Sequence, residues 1–193
     1  ASNYIYLLRK ALEKAGYGYV PVISLSMAGL EKNSGFRITL PVLRMAIAAL
    51  AYGDLLMSLD NQTKPYEKQS GDSARAVARW QKKLSVMLAD GKGCFVRDVR
   101  RISKQIAAEF DAIPVNPKAK LKVGIVGEIY VKYSALGNND LEQFLFEQGC
   151  EVCLPGILGF AMYMAENNVV GYKLYGGNPD NKTAAAAAGQ EAA

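Results

Sequence analysis

Apolar residues Ile5, Leu8 and Leu12, with Tyr4 and Ala11 beside them, recur three and four positions apart between Asn3 and Ala15. That spacing lays them along one stripe of a helix. Ser2 stands where an N-cap would, and Gly16 supplies the stop. Tyr19 to Leu25, YVPVISL, is β-branched and apolar and predicts a strand, with Pro21 near its start or on an unpaired side. Ser24, Ser26 and the turn Met27-Ala28-Gly29 follow it as one strand-end loop, and residues 31–38, EKNSGFRI, predict a polar hairpin or loop. Thr39 then caps a helix over about 39–59 with Pro41 in its first turn. Its run LPVLRMAIAALAYGDLLMSL is apolar on nearly every face, as in a helix buried against a sheet or in a subunit interface. Gly53 and Asp54 interrupt it, and Asn61 to Ser70 reads as a polar loop containing Lys64-Pro65-Tyr66-Glu67.

Two further helices follow, Asp72 to Ala89 and Phe95 to Ala112, separated by Asp90-Gly91-Lys92-Gly93, with Ile102, Ile106 and Phe110 as a core stripe. Pro114 and Pro117 introduce the passage from Lys122 to Leu154, which reads as strand, irregular polar loop, capped helix and strand. Lys122 to Val126 is the β-branched run of a central strand, and Gly127 frees the backbone to turn. Asn139 stands as the next N-cap with Glu142 three residues on, Gly149 closes that helix, and Glu151 to Leu154 is the second strand. A last helix is expected from Gly156 to Glu166 and a short strand from Val169 to Leu174. Helices and strands alternate at both ends of this order. It predicts an α/β domain with a mostly parallel sheet flanked by helices, Rossmann-like or flavodoxin-like, with a helical insertion at about 39–112. One domain is expected over residues 1–175, followed by a low-complexity tail, 176–193, to which no function is assigned.

Composition narrows the chemistry. The chain has 193 residues, 50% of them apolar, enough for one substantial core or two small ones. It carries 23 Lys and Arg against 18 Asp and Glu, a net charge of +5 that is scattered more than blocked, and no nucleic-acid partner is expected. No unbroken apolar run of spanning length and no signal pattern appear, so no membrane partner is expected and a cytoplasmic setting is. There is no histidine, which removes Ser-His-Asp, Cys-His and His-zinc chemistry. Cys94, Cys150 and Cys153 are an odd set that fits reduced thiols.

Ligands gather where a parallel strand ends and a loop begins, because free amides converge there. The candidate ligand-binding residues are therefore Gly127, Glu128, Lys132, Asn138 and Asn139. Without histidine, Glu128 is the best candidate carboxylate for acid-base work or ligand contact; alternatively it pins the loop by accepting backbone amides or pairing with Lys132. Asn138 and Asn139 also suit turn and capping roles. Cys150 and Cys153 form a CxxC, but odd spacing in or beside a strand sends the two thiols to opposite faces, so no metal is assigned to them. Cys94, at a helix start, is read as a packed or solvent-facing thiol. Asp54 within an apolar helix needs a partner, which Arg9, Arg44 or a neighbouring subunit would supply. Trp80 and the tyrosines Tyr4, Tyr6, Tyr17 and Tyr19 suit core or interface packing.

The segments ASNYIYLLRKALEKAG, PVISLSMAGLEKNSGF, LAYGDLLMSLDNQTKPYE and KVGIVGEIYVKYSALGNNDLEQFLFEQGCEV resemble, in that order, one region of the 2-hydroxyglutaryl-CoA dehydratase activators, or CoA-substrate-specific enzyme activases. The likeness covers most of residues 1–175 and is specific as a combination. It implies a dehydratase-like part of a larger protein from an anaerobe, in which ATPase domains of the sugar-kinase and actin type drive an electron toward an iron-sulfur cluster of the cubane type. The implied partners are those ATPase domains and a CoA-type ligand, with a homodimer as a further expectation. This chain has no GxxxxGK[ST] phosphate loop, so ATP hydrolysis is not expected in it. The family pattern places a cysteine just before the segment matched by Ala1-Ser2-Asn3, so the chain reads as a piece of a longer protein and a cluster ligand is expected outside it. An interaction or oligomerisation domain without cofactor, and a small-ligand domain without redox chemistry, are the alternatives.

Overall fold

A computed structural model describes residues 2–22, 25–26, 29–30, 39–116 and 118–175. Two compact units divide the chain, Ala1–Leu43 and Arg44–Ala193. In the first, the apolar stripe forms α1 (Ser2–Lys14), and Gly16, at φ 81°, ends it. The amide of Tyr17 donates to the Leu12 carbonyl (2.8 Å) and that of Gly16 to the Glu13 carbonyl (3.1 Å), satisfying carbonyls that the helix end leaves free. Of the strand expected over Tyr19 to Leu25, Tyr19 to Val22 lie in no strand, while Leu25 opens β1 (Leu25–Ser26), paired antiparallel with β2 (Gly29–Leu30). Pro21 has no amide to donate and sits inside the predicted run, and the described residues Tyr19 to Val22 join no ladder. Ser24, Met27, Ala28 and the loop 31–38 lie outside the described residues, as does the tail 176–193.

Thr39 caps α2 (Leu40–Thr63) as expected, its hydroxyl accepting from the Val42 amide (3.5 Å). Gly53 and Asp54 do not interrupt this helix, which runs unbroken for 24 residues. From Arg44 onward it belongs to the second unit, and there it walls two cores. The first core joins Ala48, Tyr52 and Leu56 of α2 to Ala76, Trp80 and Leu84 of α3 (Asp72–Ala89) and to Ile102, Ile106 and Phe110 of α4 (Val96–Asp111). Each helix contributes one stripe at four-residue spacing, the pattern of ridges packed into grooves. The buried Tyr52 hydroxyl donates to the Gly93 carbonyl (2.7 Å), so the turn between α3 and α4 is tied to α2. By length and composition α2 is long and apolar enough to cross a membrane, with a mean hydropathy of 1.6. Ile47 and Leu50, on its face away from the first core, are exposed.

The second core is smaller. Ile125, Val152 and Leu154 pack with Met57 of α2 and with Tyr133, Leu141 and Leu145. It is built on the passage singled out above: β3 (Lys122–Gly124), α5 (Ile129–Tyr133), α6 (Ala135–Asn138), α7 (Leu141–Glu147) and β4 (Glu151–Cys153). The two strands pair in parallel, Lys122 with Glu151 and Gly124 with Cys153. Gly149, at φ 78°, reverses the chain between α7 and β4, a conformation that a side chain would strain. The chain then forms α8 (Ile157–Tyr175).

The mostly parallel, Rossmann-like or flavodoxin-like sheet expected from the sequence is therefore not the fold. Helix accounts for 65% and strand for 5%, and the parallel sheet has two strands. The segment Val169 to Leu174, expected as a strand, is helical and continues α8. The helices at 40–111 bury their main stripes against one another, so they form a core of their own, and Met57 of α2 packs against the core of the strand pair.

Candidate functional site: a polar cleft beside the parallel strand pair

The parallel pair brings the loops after β3 and before α8 to one edge. Glu128 is the N-cap of α5, and its carboxylate accepts the Tyr130 amide (2.8 Å). Lys132 does not pair with it. This lysine is buried, 7% exposed, and its ammonium lies 5.1 Å from the Tyr133 ring centre and 5.7 Å from that of Phe160. Aromatic faces offer such a cation a negative quadrupole in place of a carboxylate. The Tyr133 hydroxyl donates to the Pro155 carbonyl, and burial first, then Asp54, raises the pKa of its phenol.

Asp54 finds a partner that the sequence reasoning did not consider. Its two oxygens accept the Ile157 amide (2.9 Å) and the Leu158 amide (2.7 Å), so a mid-helix carboxylate caps α8 from outside. Arg44, one expected partner, stacks 4.8 Å over Phe95. Gly156 permits the approach, since a Cβ there would stand 2.5 Å from an Asp54 oxygen.

Asn139 is not the cap of α7, contrary to expectation. Asp140 holds the N-cap position without a side-chain bond, and Asn139 and Asp140 both take left-handed backbone, φ 53° and 55°. The Asn138 oxygen then accepts the Leu141 amide (3.1 Å), while its side-chain amide donates to the carbonyls of Val131 (2.9 Å) and Lys132 (3.3 Å). Glu142 accordingly reaches across to Asn61, 3.5 Å away, and not back along its own helix.

Asn138 borders a cleft of about 280 Å³ between the end of α2 and the loops and helices that follow Tyr133. Asp60, Asn61 and Lys64 form one wall, and Asp140, Glu142, Gln143 and Phe146 the other, with Cys150 and Val152 among the remaining lining residues. The Lys64 ammonium lies 4.3 Å from the Phe146 ring centre and 3.5 Å from the Gln143 oxygen. Oδ1 of Asp60 is buried without a hydrogen-bond partner. A buried acceptor left this way costs about 1–3 kcal/mol, so a ligand group that donates to it gains that much over one that does not. The cleft offers carboxylate and amide acceptors, one ammonium and one thiol, which suits binding of a small polar molecule.

Gly127, Glu128, Lys132 and Asn139 do not line this cleft; of the five candidate residues Asn138 alone does. Asp60 and Lys64 were missed. Their signal was a carboxylate and an ammonium four residues apart at the end of an otherwise apolar helix, a pair that shares one helical face.

Between the lining residues Cys150 and Val152, Glu151 is buried at the start of β4 and accepts hydrogen bonds from the Tyr66 hydroxyl (2.6 Å) and the Lys122 ammonium (2.9 Å). Burial pushes its pKa up, but the two bonds outweigh burial and hold the carboxyl below its ordinary range. The same bonds raise the Tyr66 and Lys122 values.

The thiols stand apart. Cys94 packs at the edge of the first core, Cys150 is buried on the cleft, and Cys153 is exposed. Among the described residues no three His, Cys, Asp or Glu side chains are grouped to hold a metal. A cubane cluster takes about four thiolates, and this chain's three do not make such a site. No family model, no curated protein and no solved structure matches this chain.

Proposed function

We propose that this chain is the dehydratase-like part of a CoA-enzyme activase, the part that meets the ATPase domains and a CoA-type ligand without hydrolysing ATP itself. One observation carries the reading. Every residue that lines the polar cleft belongs to one of two of the resembling segments, Leu50 to Glu67 and Lys122 to Val152. Segments more than fifty residues apart are expected to converge on one cleft if their likeness reflects a shared site. The thiols of this chain do not fit a cubane cluster, so cluster ligands belong to sequence outside it and no electron-transfer step is assigned to Cys94, Cys150 or Cys153. Anaerobic iron reconstitution of this chain and of a version extended upstream tests the reading. Iron bound by the extended protein and not by this chain is expected; an extended protein that takes up no iron removes it.

A second reading, an interaction domain, is favoured by the exposure of Ile47 (48%) and Leu50 (38%) on α2. Light scattering decides its homodimer form: a monodisperse monomer at high concentration would exclude it.

A further inference from the structure

The net charge of the chain is not spread evenly in space. Residues 82–104, the end of α3, the turn and the start of α4, hold seven Lys and Arg against two Asp, an excess equal to the +5 of the whole protein. Helices α3 and α4 pack as an antiparallel hairpin, with Arg79 bonded to Glu109 near its open end, so this excess collects at the closed end. Both acids there are already engaged, Asp90 with Lys92 (3.3 Å) and Asp98 with Arg101 (3.2 Å). Among the described residues Arg97, Arg100 and Lys104 are exposed and have no acidic partner.

The same turn exposes apolar side chains that neither core takes up. Phe95 is 56% exposed and Val96 70%, adjacent at the start of α4, and Val86 of α3 is 60% exposed. Two neighbouring apolar residues at a helix start, flanked along the chain by Lys92, Arg97 and Arg100 and with the Arg44 guanidinium over the Phe95 ring, are matched to a surface that is anionic outside and apolar beneath. A bilayer with anionic headgroups is such a surface: phosphates meet the cations while the Phe95 ring and Val96 enter the acyl boundary. Nucleic acid would leave Val96 and Val86 against water, and the turn offers one ring where base stacking uses several.

We propose that the α3–α4 turn docks onto lipid bilayers that carry anionic headgroups. The full chain should sediment with vesicles of phosphatidylcholine containing about a third phosphatidylglycerol, should stay in solution with phosphatidylcholine alone, and should be released by 0.5 M salt. Arg97→Glu with Arg100→Glu is expected to weaken the binding more than about tenfold, and Phe95→Ser with Val96→Ser to weaken it several-fold. All four positions are exposed, and unchanged far-ultraviolet circular dichroism establishes that each variant is folded. Lys68→Glu with Lys118→Glu makes the same charge change away from the turn and should leave binding within about twofold. Equal binding to neutral and anionic vesicles, equal loss in the Lys68 and Lys118 variant, or preference for short duplex DNA over anionic vesicles would each overturn the proposal.

Discussion

Asp54 links α2 to α8 through two amides, and Gly156 is the residue that lets it come close. Removing a carboxylate cap costs about 1–2 kcal/mol, and Asp54→Ala should lower unfolding free energy by about that much in urea titrations. Gly156→Ala should be destabilising as well, because the Asp54 carboxylate is held by both amides and cannot swing clear of the new methyl. With Asp54→Ala already in place, Gly156→Ala should cost markedly less; a fully additive double mutant would contradict the contact. At this scale the sequence was readable where partners are local. Glu128 caps its own helix two residues on, one of the two roles open to it, whereas the partner of Asp54 lies more than a hundred residues away. Asn138 and Asn139 show the limit of local reasoning. Both suit a cap, and the choice was made by two consecutive left-handed residues that spacing does not reveal.

At the scale of elements, Glu151 joins three pieces: β4, β3 through Lys122, and the segment after α2 through Tyr66. Its lowered pKa sets the sign of a pH dependence. Its stabilising contribution is present above the ordinary carboxylate range and disappears as pH falls through its depressed folded value. Lys122 and Tyr66, both raised, contribute below their ordinary values near 10 and lose that contribution as pH rises through the folded ones. Glu151→Gln should therefore reduce stability at neutral pH by roughly 1–3 kcal/mol and flatten the acid limb of the stability profile; an unchanged acid limb would show that other carboxylates govern it. Helices α3 and α4 were legible because each buries one stripe at helical spacing. Helix α2, apolar on nearly every face, suits burial against a sheet or in a subunit interface when judged by its sequence, but its apolarity has another source. Leu56 and Met57, adjacent in sequence, face different cores.

For the whole molecule, a parallel sheet needs several strands whose amides and carbonyls all find partners, and among the described residues β3 and β4 pair with each other and stop. YVPVISL carries a proline at its third position, and VVGYKL continues a helix already begun. Hydrophobic character alone does not separate a short buried strand from a turn of buried helix, and this ambiguity misled the fold expectation. Charge behaves likewise, scattered along the chain yet gathered at the closed end of one hairpin. What the sequence by itself determined was local: the helices α1 to α4 within a residue or two at most ends, the stop at Gly16, the two strands after Lys122 with a helix before the second, and the absence of histidine; the polar loop expected between them instead forms α5 and α6. Periodicity, caps and composition act over a few residues and leave their mark there. Only the tertiary structure decided that helices build most of the core, that Asp54 serves α8, and that Asp60 and Lys64 meet Asn138 and Glu142 across one cleft. Those outcomes depend on contacts between residues tens of positions apart, which follow from how whole faces pack and which neither partner's local sequence identifies.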